Sequence, residues 1–122
     1  MKKKTGFRRL INATKYSFMG FRAAYKYEPA FRQELFVLIF ACVTVMLIDF
    51  SIYERILLVG SVSFVMIVEL INSAIEAVVD RIGEERHELS GRAKDFGSAA
   101  VFLSVILAII LWFYLFACHF FP

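Results

Sequence analysis

The stretch VELINSAIEAVVDRIG, residues 68–83, decides how the chain is read. As a helix it sets Glu69, Asn72, Glu76 and Asp80 on one face, at spacings of three and four residues. Most of its other positions are Leu, Ile, Val or Ala, and residues 56–68 before it carry no charge. Carboxylates therefore stand at the end of what looks like a membrane span. Ionised groups are expensive in hydrocarbon and face a bundle interior or a wet cavity, which makes them functional candidates. A solvated helix end after a span would explain Asp80 well. It explains Glu69 poorly, because Glu69 follows the apolar run directly.

Composition agrees with a membrane protein. The 122 residues are 60% hydrophobic, with a mean hydropathy of +0.68, too apolar for a soluble domain of this length. The expected fold is all-α: one domain over residues 1–122, with an N-terminal amphipathic surface helix over about 5–27 and spans over about 29–48, 52–82 and 91–121. Phe7, Leu10, Ile11, Phe18, Phe21 and Tyr25 share one face of the first segment, and Arg8, Lys15, Arg22 and Lys26 the other, as in a helix lying in the membrane interface. Glu28-Pro29 marks a boundary, since proline suits a first helical turn. Residues 49–55 read as a short polar connector and 84–95 as a charged loop. No cleavable signal pattern opens the chain. Cys42 and Cys118 lie in apolar runs without metal-ligand spacing, and read as packing residues.

Charge sets the expected topology. Nine of the 14 Lys and Arg precede Leu35 and four lie between Arg81 and Lys94. Both regions are expected in the cytoplasm by the positive-inside rule. Glu28, Glu34, Glu69, Asn72, Glu76 and Asp80 then converge at one depth. Three thin helices enclose little space, so an oligomer with the site between subunits is expected. His119 lies in the aromatic outer end of the last span and reads as interfacial packing, whereas His87 lies in the charged loop.

Carboxylates beside a few cations and an amide suit a magnesium–nucleotide site, because Mg²⁺ takes oxygen ligands and bridges one or two carboxylates to phosphate. Lys and Arg offset phosphate charge, and a carboxylate at an apolar boundary is well placed to accept a proton from a lipid hydroxyl. Neither a GxxxxGK[ST] loop nor a Gly-rich kinase loop is present. Two classes remain open on these grounds: a lipid-modifying enzyme using metal and nucleotide, and a small proton-coupled transporter with Glu69 as proton carrier. The charged segment and the Lys94-Asp95 pair favour the enzyme.

The sequence resembles the bacterial integral-membrane diacylglycerol kinase family. EPAFRQE (residues 28–34), MIVELINSAIEAVVDRIG (66–83) and HELSGRAKDFGSAA (87–100) carry the resemblance, with TGF (5–7), Arg9 and RAA (22–24). The family implies transfer of the γ-phosphate of MgATP to 1,2-diacylglycerol, giving phosphatidic acid, in a homotrimer of the bacterial inner membrane with shared sites, a cytoplasmic N-terminus and no nucleic-acid partner. A branch acting on undecaprenol is the alternative, and the first and third motifs look more like the diacylglycerol branch. Carried over residue by residue, Glu69 resembles the general base, and Glu28 and Glu76 resemble carboxylates that hold Mg²⁺ and touch ATP. Lys94 and Asp95 resemble nucleotide contacts, joined by Arg9, Tyr16, Glu85 and His87. Arg9, Phe31, Arg32, Gln33, Glu34, Asn72, Ser98 and Trp112 resemble positions that line the lipid site or support Glu69. Arg86, after Glu85, departs from the family pattern.

Overall fold

The computed structural model describes residues 6–83 and 87–122. These form four helices and, among the described residues, no strand: α1 (Phe7–Tyr27), α2 (Pro29–Leu47), α3 (Ile52–Ile82) and α4 (Glu88–Phe120). The last three are each long and apolar enough to cross a membrane.

Local chemistry explains where each helix begins. Glu28 adopts an extended conformation (φ −115°, ψ 99°) and Pro29 opens α2, so α1 and α2 cannot merge. Arg32 bridges the break: its Nη1 donates to the carbonyls of Tyr25 (2.7 Å) and Lys26 (3.2 Å). These belong to the last turn of α1, where carbonyls lack helical partners. At α3, Ser51 Oγ accepts from the Glu54 N–H (3.2 Å) and the Ser51 N–H donates to Glu54 Oε1 (2.9 Å), a reciprocal cap. The connector expected over 49–55 is therefore shorter, because this cap draws Glu54 and Arg55 into the first turn of α3.

The charged loop expected over 84–95 is also shorter. His87 caps α4, its Nδ1 accepting the N–H of Leu89 at 3.1 Å, and Arg92 pairs with Glu88 one turn away at 3.0 Å. Ser90, Lys94 and Asp95 are thus helical. Glu85 lies outside the described residues.

Helix α3 is the central element, packed against α2 and α4. Two small cores hold it. At one end Ala24, Phe31 and Met66 join α1, α2 and α3. At the other, Val45, Phe50 and the fully buried Leu58 meet Trp112 and Phe116 of α4. The Trp112 indole N–H donates to the Leu58 carbonyl (3.2 Å) and to Ser61 Oγ (3.0 Å). Phe50 sits edge-on to Phe116 at 5.3 Å and tilted over His119 at 4.7 Å. The outer faces of the spans expose Phe36, Phe40, Phe102 and Phe113, which suits a lipid or protein surround. Only Ala24 of α1 is buried, as befits a helix that lies on a surface and touches the bundle at one end.

Length places the site. At about 1.5 Å per residue, α3 is roughly 46 Å long and α4 roughly 50 Å, against about 30 Å of hydrocarbon. Both overrun the membrane at the end where Ile82 and Glu88 meet. About 20 residues from Ile52 fill the span, which leaves Glu69 at its boundary and Glu76 and Asp80 beyond it.

Trp112→Phe keeps the ring and removes both indole hydrogen bonds. It is expected to cost about 1–2 kcal/mol of bundle stability. Reversible unfolding in detergent micelles measures this, and unchanged stability would contradict the tie between α3 and α4.

Candidate functional site

Glu69 sits among aliphatic side chains of α3 and is only 7% exposed, as is Asn72 one turn on. The Ser73 hydroxyl lies beside the Glu69 carboxylate, and Glu28 and Glu76 stand within Coulombic range of it. Glu34 of α2 is coupled to Glu69 in the same way. Three further carboxylates, from α3, α2 and the α1–α2 break, thus lie within Coulombic range of Glu69. Two polar atoms there are buried without a hydrogen-bond partner among the described residues: Glu34 Oε2 and Asn72 Oδ1. Asn72 Nδ2 donates to Glu76 Oε1 at 3.4 Å.

Two openings lead to the cluster. A groove of about 400 Å³ runs between α2, α3 and α4, with Glu34 at one end, Trp112 and Phe113 at the other, and Val, Ala, Ile and Phe side chains between. Apart from Glu34 and the Trp112 indole N–H its lining is apolar, as the seat of an acyl chain requires. A second cavity, about 650 Å³, lies between the C-terminal half of α1 and α3 and is lined by Glu28 and Ser73 among others.

Further toward water, Lys94 Nζ meets Asp80 Oδ1 at 2.7 Å and also lies within range of Glu76. The pair ties the overrunning ends of α3 and α4 together. Asp95 and His87 line a polar cavity of about 480 Å³ with Glu88 and Arg92. The geometry thus gives an apolar groove, a carboxylate cluster and a charged outer layer in succession. A lipid head group and a polyphosphate can meet at the middle layer.

Several expected site residues stand elsewhere. Arg9 and Tyr16 lie on α1 before the stretch that lines the second cavity, and both are exposed. Phe31 is 5% exposed and fills the core with Ala24 and Met66. Arg32 caps α1, while Gln33 and Ser98 are exposed on their helices. Ser73 shares the spacing of the acidic face, four residues after Glu69, yet a serine in an apolar helix gives little signal. Gly97 gives none: it is buried, and it stands close against Asn72.

Known proteins decide the family. The model of prokaryotic diacylglycerol kinase matches residues 15–116. The chain belongs to the prokaryotic diacylglycerol kinase family. Its relatives in this family include the diacylglycerol kinase of Escherichia coli (strain K12), 56% identical over 116 residues, which are 95% of each chain. The diacylglycerol kinase of Haemophilus influenzae is 53% identical over 92% of this chain and 95% of its own. That of Helicobacter pylori (strain 26695) is 38% identical over 90% and 86%. The prokaryotic diacylglycerol kinase match takes in every acidic residue of the cluster, from Glu28 to Asp80.

Arg32→Gln removes the donor that closes the α1–α2 break. Trypsin is expected to cut after Lys26 faster in this variant than in the parent protein. Equal cleavage rates would show that α1 is held by other contacts.

Proposed function

We propose that the protein is an ATP-dependent lipid kinase that transfers the γ-phosphate of MgATP to the free hydroxyl of 1,2-diacylglycerol, giving phosphatidic acid and ADP. The observation that carries this reading is Glu69, buried at the apolar boundary with three further carboxylates around it and an apolar groove leading to the cluster. Kinship with the diacylglycerol kinases of other bacteria supports it.

In this mechanism the acyl chains occupy the apolar groove and the hydroxyl reaches Glu69. The carboxylate takes the hydroxyl proton as the oxygen attacks the γ-phosphorus, and the bond to the β-phosphate oxygen breaks to release ADP. Glu34 offers its unpartnered Oε2 to the glycerol head. Lys94 exchanges its bond with Asp80 for a phosphate oxygen, and Asp95 and His87 border the nucleotide in the polar cavity.

Glu28 and Glu76 fit a magnesium ion that arrives with ATP. Both are carboxylates beside Glu69, and Mg²⁺ keeps several waters and uses one or two carboxylates with phosphate oxygens. Among the described residues no three His, Cys, Asp or Glu are arranged to hold a metal by themselves. Bound there, the ion offsets charge on the β- and γ-phosphates.

Kinship with bacterial diacylglycerol kinases supports a location in the bacterial inner membrane, and the bias of Lys and Arg toward residues 1–32 and 81–94 supports a cytoplasmic N-terminus. A homotrimer whose neighbours complete each site rests on the family resemblance, and the exposed apolar faces of the spans leave room for such neighbours.

Glu69→Gln is expected to lower phosphate transfer at least about 100-fold, the scale of a lost general base, with helix content and oligomer unchanged. Near-normal turnover would remove Glu69 as the base. Glu28→Gln and Glu76→Gln are each expected to raise the Mg²⁺ concentration for half-maximal rate as well as to slow turnover. An unchanged metal dependence would count against metal holding.

A further inference from the structure

Gly97 lies on α4 where that helix crosses the acidic face of α3, and it is buried. A methyl group added at this position would overlap the Asn72 amide oxygen and come within 3.2 Å of Asn72 Cγ. Of the glycines Gly6, Gly20, Gly60, Gly91 and Gly97, the other four have open space where a Cβ would stand. Close approach through glycine is a common way for membrane helices to meet. Here the neighbour is a polar side chain in the carboxylate cluster.

The contact fixes which way the amide faces. Asn72 is 7% exposed and its Oδ1 has no hydrogen-bond partner among the described residues. The oxygen is turned to the backbone of Gly97, where only a weak C–H···O contact is available. Its Nδ2 donates to Glu76 Oε1. Reversing the amide would set its oxygen against the Glu76 carboxylate, so the donor must point to Glu76 and the oxygen must find room on the α4 side. The absence of a Cβ at Gly97 supplies that room.

We propose that Gly97 is a positioning residue: it gives the Asn72 amide the space in which it orients the Glu76 carboxylate. The part that concerns magnesium rests on the reading of Glu76 as a metal-holding carboxylate. A side chain at residue 97 rotates Asn72 away or pushes α4 off α3, and in either case Glu76 loses its donor.

The test uses the full chain in lipid–detergent micelles, with Gly97→Ala, Asn72→Ala, the double variant and Glu76→Gln, and follows phosphate transfer against Mg²⁺ concentration. Gly97→Ala is expected to slow transfer about tenfold or more, the scale of a lost hydrogen bond to a charged group. Like Glu76→Gln, it is expected to raise the Mg²⁺ requirement. Adding Gly97→Ala to Asn72→Ala is expected to cost less than about twofold further, because coupled residues are not additive. The double variant also removes the overlap, so it folds even where Gly97→Ala alone does not. A Gly97→Ala protein with parental rate and metal dependence would overturn the inference, and so would a double variant whose loss is the product of the two single losses. If Glu76→Gln leaves the Mg²⁺ dependence unchanged, the metal reading fails, while non-additivity of Gly97 and Asn72 would still support the positioning contact.

Discussion

Taking a carboxylate out of water among aliphatic side chains costs several kcal/mol unless partners compensate it, and Glu69 is placed there with three further carboxylates near it. No ion pair to a Lys or Arg offsets this cluster among the described residues: Lys94 pairs with Asp80, and Arg92 with Glu88. Such an arrangement does not serve stability. It is the arrangement expected of a site that receives cations and a polar substrate. The rest of the molecule can be understood as the scaffold that holds Glu69 at this depth.

That scaffold is α3 and what grips it. The Trp112 end is bound by ordinary means: Leu58 is fully buried, Phe50 packs edge-on to Phe116 and tilted over His119, and the Trp112 indole reaches a carbonyl and a hydroxyl on α3. The carboxylate end is held by polar contacts, Asn72 to Glu76 and Lys94 to Asp80. The α1–α2 break, set by Glu28 and Pro29 and latched by Arg32, delivers two more carboxylates to the same level. An apolar half around Trp112 and a charged half around Glu76 and Asp80 thus share one set of helices.

Much of this was legible beforehand. The three spans follow from long apolar runs, and the face bearing Glu69, Asn72, Glu76 and Asp80 follows from helical spacing inside such a run. What stayed hidden depends on contacts between distant segments. Trp112 reads as an interfacial aromatic, but its partners lie 51 and 54 residues away. Phe31 and Arg32 sit in a polar motif, yet one fills a core and the other caps α1. His87 is not a usual capping residue, so the sequence puts the start of the last span near residue 91 and α4 begins about one turn earlier, at Glu88. Gly97 has no side chain to reveal its role, which depends entirely on Asn72 standing opposite.

Movement of phosphate from a nucleotide to a membrane lipid is tested by giving the purified protein γ-labelled ATP and Mg²⁺ in mixed micelles holding both diacylglycerol and undecaprenol. Label in phosphatidic acid is the predicted result. Label in polyprenyl phosphate would keep the mechanism and contradict the substrate. No label in either lipid from a well-folded oligomer would contradict the account and return Glu69 to the role of a proton carrier in transport.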